Sequence, residues 1–132
     1  MLAFEQLKKK YSLFFSNETV IVCHYGWQKL LEDFCAAANL IVSNGPYETF
    51  IIHSMKEKYG VLMIDYTGGD DLIKEIVDFT EILSYTVCEL CGSEGKLYAA
   101  GRWNNWSEYK TLCKNHAIQL QYYEIKLKKG IK

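Results

Sequence analysis

Two short pairs of soft metal ligands constrain this chain more than anything else in it: Cys88-Glu89-Leu90-Cys91-Gly92 and Cys113-Lys114-Asn115-His116, with 21 residues separating Cys91 from Cys113. Within each pair two residues lie between the ligands, so a tight turn aims both side chains at one point, and two such pairs close a tetrahedral set around zinc. The spacing predicts a structural Zn²⁺ site on Cys88, Cys91, Cys113 and His116. With all four positions taken by protein, such a site is closed and leaves no place for a water nucleophile. The alternatives are a Cys-x-x-Cys redox pair or free buried thiols, and a redox pair leaves Cys113 and His116 unexplained.

The residues around the ligands add detail. Gly92 follows the second cysteine, where a knuckle turns through positive φ so that backbone N–H groups face the thiolates. Thr111 is placed to cap a helix whose first turn carries Cys113 and His116 on one face, with the helix N-terminus favouring the thiolate. A knuckle, then a hairpin, then a helix supplying the last two ligands resembles treble-clef and zinc-ribbon modules.

With 132 residues, 49% of them hydrophobic, the chain suits one compact domain, or a domain with a small appended module. It has one proline and nine glycines, which leaves little for a linker, and it has no apolar run long enough for a membrane span. The N-terminus reads as an amphipathic helix without a signal-peptide cleavage site, so a cytoplasmic protein is expected. Cys23 and Cys35 fit no ligand pattern and are expected to be small core residues in a reducing compartment. The net charge of -1 hides an asymmetry: residues 1–86 carry seven Lys against twelve Asp/Glu, or -5, and residues 87–132 carry eight Lys/Arg against four Glu, or +4. The two parts are thus suited to different partners.

Taken in order, residues 2–15 read as a helix with Leu2, Leu7, Tyr11, Phe14 and Phe15 inward and Lys8, Lys9 and Lys10 in solvent. Residues 20–24 are either a short strand or the lead-in to the next helix. After Gly26, Trp27, Leu30, Leu31, Phe34 and Ala38 form the apolar face of a second helix, and Asn44-Gly45-Pro46 breaks the chain. Residues 49–55 and 61–66 are β-rich and predict an antiparallel hairpin whose loop is Lys56-Glu57-Lys58-Tyr59-Gly60. Asp70 and Asp71 then open a third helix packed on the hairpin, with Leu72, Ile73, Ile76, Val77, Thr80 and Leu83 as its stripe. Residues 96–100 and 102–109 predict the second hairpin, and residues 111–128 a final helix. The expected fold is α+β, with helices on a small antiparallel hairpin or sheet in residues 1–86. A treble-clef or zinc-ribbon-like module in residues 87–132 packs on it as one compact unit.

The segment Gly101-Arg102-Trp103-Asn104-Asn105-Trp106 supplies large flat surface and hydrogen-bonding groups, which makes Arg102, Trp103, Asn104, Asn105 and Trp106 the candidate partner-binding residues. Covering the metal is the competing use of the two tryptophans. The acids at Asp70 and Asp71 form a lesser candidate patch. No catalytic residue is expected: His24 and His53 sit in no motif with a carboxylate or nucleophile, and no phosphate-binding glycine loop is present.

The combination Lys56-Glu57-Lys58-Tyr59-Gly60-Val61-Leu62, Cys88-Glu89-Leu90-Cys91-Gly92 and Thr111-Leu112-Cys113-Lys114-Asn115-His116-Ala117, with Gly26-Trp27 upstream, resembles small zinc-binding proteins encoded by bacteria, phages and prophages. Compact zinc proteins of mobile elements include anti-CRISPR inhibitors, which occupy surfaces of an effector such as Cas9. The resemblance implies a non-enzymatic inhibitor of a bacterial defence effector, possessing a structural Zn²⁺ and a protein partner such as a CRISPR effector nuclease in the host cytoplasm. A zinc-ribbon nucleic-acid-binding regulator is the alternative. A pI near 6.3 and an acidic first part weigh against it.

Overall fold

The computed structural model describes residues 2–45, 49–99 and 108–124, and the fold is α+β. Helix α1 (Leu2–Lys10) stops short of the expected residue 15. The chain turns at Tyr11, and Phe14 and Phe15 leave the helix to seat their rings in the core, where Phe14 meets Tyr11, Phe15 and Phe50. Lys8, expected in solvent, is half-buried and donates to the Thr19 carbonyl at 2.8 Å.

Strand β1 (Phe15–Val22) settles the ambiguity at residues 20–24 in favour of a strand, and a longer one than composition suggested. It runs parallel to β2 (Ile51–Lys58), which pairs antiparallel with β3 (Val61–Thr67), giving the order β1-β2-β3. The first sheet is therefore mixed. Helix α2 (Gln28–Asn44) lies in the connection that a parallel pair requires. Phe-Ser-Asn-Glu-Thr at the start of β1 has no β-rich signature; its place is fixed by tertiary bonds, such as the Thr19 hydroxyl donating to the Ile52 carbonyl at 2.6 Å. The β2–β3 loop is also shorter than expected. Pairing continues through Lys58 and Val61, and the turn is Tyr59-Gly60, with φ of +56° and +88°.

Helix α3 (Asp71–Leu83) opens with the Asp70 carboxylate accepting from the Ile73 N–H, as the acids there predicted. Ile73, Val77 and Thr80 are buried. Leu72, expected in the stripe, is 47% exposed and shares the outward side of α3 with Phe79 (61%) and Ile82 (60%). The helix lies along β3, and side chains at and just past its C-terminal end seal that sheet edge: the Leu62 N–H donates to Ser84 Oγ at 2.9 Å and the Ile64 N–H to Glu81 Oε2 at 2.8 Å.

Burial raises the Glu81 carboxyl above its ordinary 4.5, against the opposing Ile64 N–H bond. A raised carboxyl means that the folded state holds its proton more tightly than the unfolded chain. The stability this gives is present below pH 4.5 and is lost as pH climbs through the folded value. Glu81→Gln keeps an acceptor for Ile64 and has no such proton, so denaturant titrations from pH 4 to 7 should show a smaller decline with rising pH in the variant than in the parent.

The main core gathers Phe14, Trp27, Leu31, Ile52, Met55, Leu62 and Ile73, all fully buried. A smaller cluster of Cys88, Tyr98, Leu112 and Ala117 lies in the C-terminal part. There, β4 (Lys96–Ala99) pairs antiparallel with β5 (Tyr109–Leu112) and with β6 (Tyr123–Glu124), in the order β5-β4-β6. Helix α4 (Lys114–Leu120) is far shorter than the expected 111–128. Gln121, at φ +62°, ends it in a left-handed cap, and the Tyr122 N–H returns to the Ala117 carbonyl. Thr111 is not its cap. It belongs to β5 and donates its hydroxyl to the Gly60 carbonyl at 2.7 Å, while Cys113 holds the N-cap position. Among the described residues no helix is long and apolar enough to cross a membrane.

Candidate metal centre

Four side chains from three pieces of backbone meet at one point. Cys88 and Cys91 come from the knuckle before β4, Cys113 from the junction of β5 and α4, and His116 from the first turn of α4. Their ligand atoms all lie within 4.8 Å of one another, a cluster able to hold a metal ion. His116 Nδ1 sits 3.3 Å from Cys113 Sγ and 3.7 Å from Cys88 Sγ, so Nδ1 is the nitrogen turned into the cluster. Cys91 Sγ and Cys113 Sγ are 3.8 Å apart, far beyond the ~2.05 Å of a disulfide.

The knuckle is built by backbone. The Gly92 N–H returns to the Cys88 carbonyl at 2.8 Å with Gly92 at φ +86°, as expected, and the Cys88 N–H donates to the Ser93 carbonyl at 2.7 Å. Burial pushes the Cys88 thiol up, although the N–H groups of Cys113, Cys91 and Leu90 act in the other direction. Cys91 behaves oppositely. It is exposed, and hydrogen bonds from the Ser93 side chain and then its backbone bring its thiol down to about 6. Cys23 and Cys35, away from the cluster, are pushed up to about 12, chiefly by burial.

The knuckle rests on the segment before α2, through residues that sequence reasoning passed over. Glu89, a spacer between ligands, is 1% exposed, and its carboxylate accepts from the His24 N–H at 3.2 Å and lies 3.1 Å from His24 Nδ1 and 3.4 Å from Lys110 Nζ. A buried carboxylate needs such partners. The Gly26 N–H donates to the Glu89 carbonyl at 2.7 Å, and a Cβ on Gly26 would come within 2.3 Å of the carbonyls of both Cys88 and Glu89. The Trp27 indole N–H donates to the Val87 carbonyl at 2.8 Å. None of these pairings had a sequence signal, because the partners lie more than 20 and mostly more than 60 positions apart. His53 is exposed on β2, with Nε2 3.2 Å from Thr67 Oγ1.

Arg102, Trp103, Asn104, Asn105 and Trp106, the candidate partner-binding residues, lie outside the described residues. No family model matches the chain, and neither the curated proteins nor the solved structures provide a match.

Proposed function

We infer that the chain is a non-enzymatic, zinc-stabilised binding protein acting by protein contact, an inhibitor of a bacterial defence effector of the anti-CRISPR kind. The observation that carries the metal reading is the spacing of the ligand atoms. Zinc bonds of ~2.3 Å to sulfur and ~2.0–2.1 Å to nitrogen give tetrahedral edges of about 3.8 Å for S···S and about 3.5 Å for S···N. Among these edges, Cys91 Sγ to Cys113 Sγ is 3.8 Å, His116 Nδ1 to Cys113 Sγ and Cys88 Sγ are 3.3 and 3.7 Å, and no two ligand atoms lie more than 4.8 Å apart. Three thiolates and an imidazole also suit zinc better than a hard cation. The ion's part is to cross-link knuckle, hairpin and α4.

Protein contact is supported by the outward apolar side of α3, Leu72, Phe79 and Ile82, set in the acidic first part of the chain. The defence-effector target rests on the resemblance of the knuckle and hairpin segments to zinc proteins of mobile elements. The proposed contact residues remain 102–106, with Asp71 in a weaker second candidate patch; Asp70 is engaged as the α3 cap.

Two measurements test this reading. Guided DNA cleavage by a Cas9-type nuclease should fall in step with added zinc-loaded protein, and unchanged cleavage at large excess removes that effector as the target. Gel shifts on bare DNA and RNA should show no complex at physiological salt. A tight complex that weakens steeply with salt would favour the nucleic-acid regulator instead.

A further inference from the structure

We propose that the edge of the ligand set between Cys91 and Cys113 is an oxidation site for small hydroperoxides, closing to a disulfide and dismantling the metal centre. This rests on the metal reading above. The four ligands differ sharply in access. Cys88 is fully buried, whereas Cys91 is exposed and lines an open cleft of about 620 Å³ with Tyr25, Leu30 and Gly92, roomy enough for a molecule the size of hydrogen peroxide. Cys113 is half-exposed, and its sulfur is 3.8 Å from that of Cys91. Forming a bond of ~2.05 Å requires the two sulfurs to approach by about 1.8 Å.

The chemistry balances with hydrogen peroxide as the oxidant. The Cys91 thiolate attacks one peroxide oxygen; an S–O bond forms, the O–O bond breaks, and hydroxide leaves to take up a proton as water. The Cys113 thiolate then attacks the sulfenic sulfur of Cys91, the S–S bond forms, the S–O bond breaks, and a second hydroxide becomes water. Two thiolates lose two electrons and peroxide gains them. The donor set is left with Cys88 and His116, too few to hold the ion. Cys23, half-exposed, and Cys35, buried, are internal controls, since neither belongs to the ligand set and burial raises both thiols.

The test uses the full chain with its metal content measured first, then treated with hydrogen peroxide while a chromogenic chelator reports released zinc. Remaining thiols are alkylated and disulfides mapped by mass spectrometry. The expected result is one zinc released per chain, together with one Cys91–Cys113 disulfide and unoxidised Cys23 and Cys35, all reversed by dithiothreitol and added zinc. Retention of zinc under peroxide, a Cys88–Cys91 bridge, or oxidation starting at Cys23 or Cys35 overturns the proposal. Protein without metal before peroxide is added overturns the metal reading itself, so the two failures are told apart.

Discussion

Replacing Cys88 with serine is expected to strip the chain of its metal and unfold everything built on the knuckle. Structural zinc contributes apparent binding energy of about 10–16 kcal/mol at neutral pH, as large as or larger than the ~5–15 kcal/mol that holds an ordinary domain together. The smaller cluster around Tyr98, Leu112 and Ala117 includes Cys88 itself, so it loses a core member along with the cross-link. The main core has its own buried set and should survive. Metal analysis should fall from one ion per chain to near zero, and amide spectra should lose dispersion for β4, β5 and α4 while keeping it for β1 to β3. A variant with full metal content and an unchanged melting curve would remove Cys88 from the site.

Trp27→Ala should have the second-largest effect, although Trp27 touches no metal. Its ring is fully buried in the main core, and large-to-small changes of this kind cost about 3–5 kcal/mol. Losing the indole N–H leaves the Val87 carbonyl short of its partner, adding roughly 1 kcal/mol unless water reaches it. Together these correspond to a fall in melting temperature on the order of 10–20 °C. Because Val87 directly precedes Cys88, the loss should also weaken metal retention. Competition with a chelator should release zinc from Trp27→Ala faster than from Trp27→Phe, which fills most of the volume and lacks only the N–H. Release from Trp27→Phe at the parent's rate would mean that the indole bond does not support the knuckle.

The ligand set was legible because its chemistry is local: two residues between ligands, a glycine where the knuckle turns, a histidine three positions after a cysteine. The apolar faces of α2 and α3 were legible for the same reason, since periodicity records which side of a helix is covered. What stayed hidden depends on distant partners. The first half of β1 looks like polar loop and becomes strand only because Thr19 and Phe14 bond to Ile52. Thr111 had the residue type of a cap, yet the Gly60 carbonyl claims its hydroxyl. Glu89 looked like a spacer, and only the approach of His24 and Lys110 explains a carboxylate in that interior. The reach of α4 was overestimated because residues 114–128 contain no proline or glycine to stop it. The stop is a left-handed turn at Gln121, a residue with no strong preference for one.

The bonds joining Gly26 and Trp27 to the knuckle also impose an order in time. Residues 24–27 leave the ribosome some 60 positions before the carbonyls of Val87 and Glu89 that they meet, and at ~5–20 residues per second this is a wait of several seconds. Cys88 and Cys91 in turn precede Cys113 and His116 by more than 20 positions, so the first half of the ligand set emerges before the second. On the zinc reading, capture of the ion is therefore expected as a late event of maturation. Cells starved of zinc are expected to accumulate chains whose first part is already formed and whose knuckle stands open to proteases.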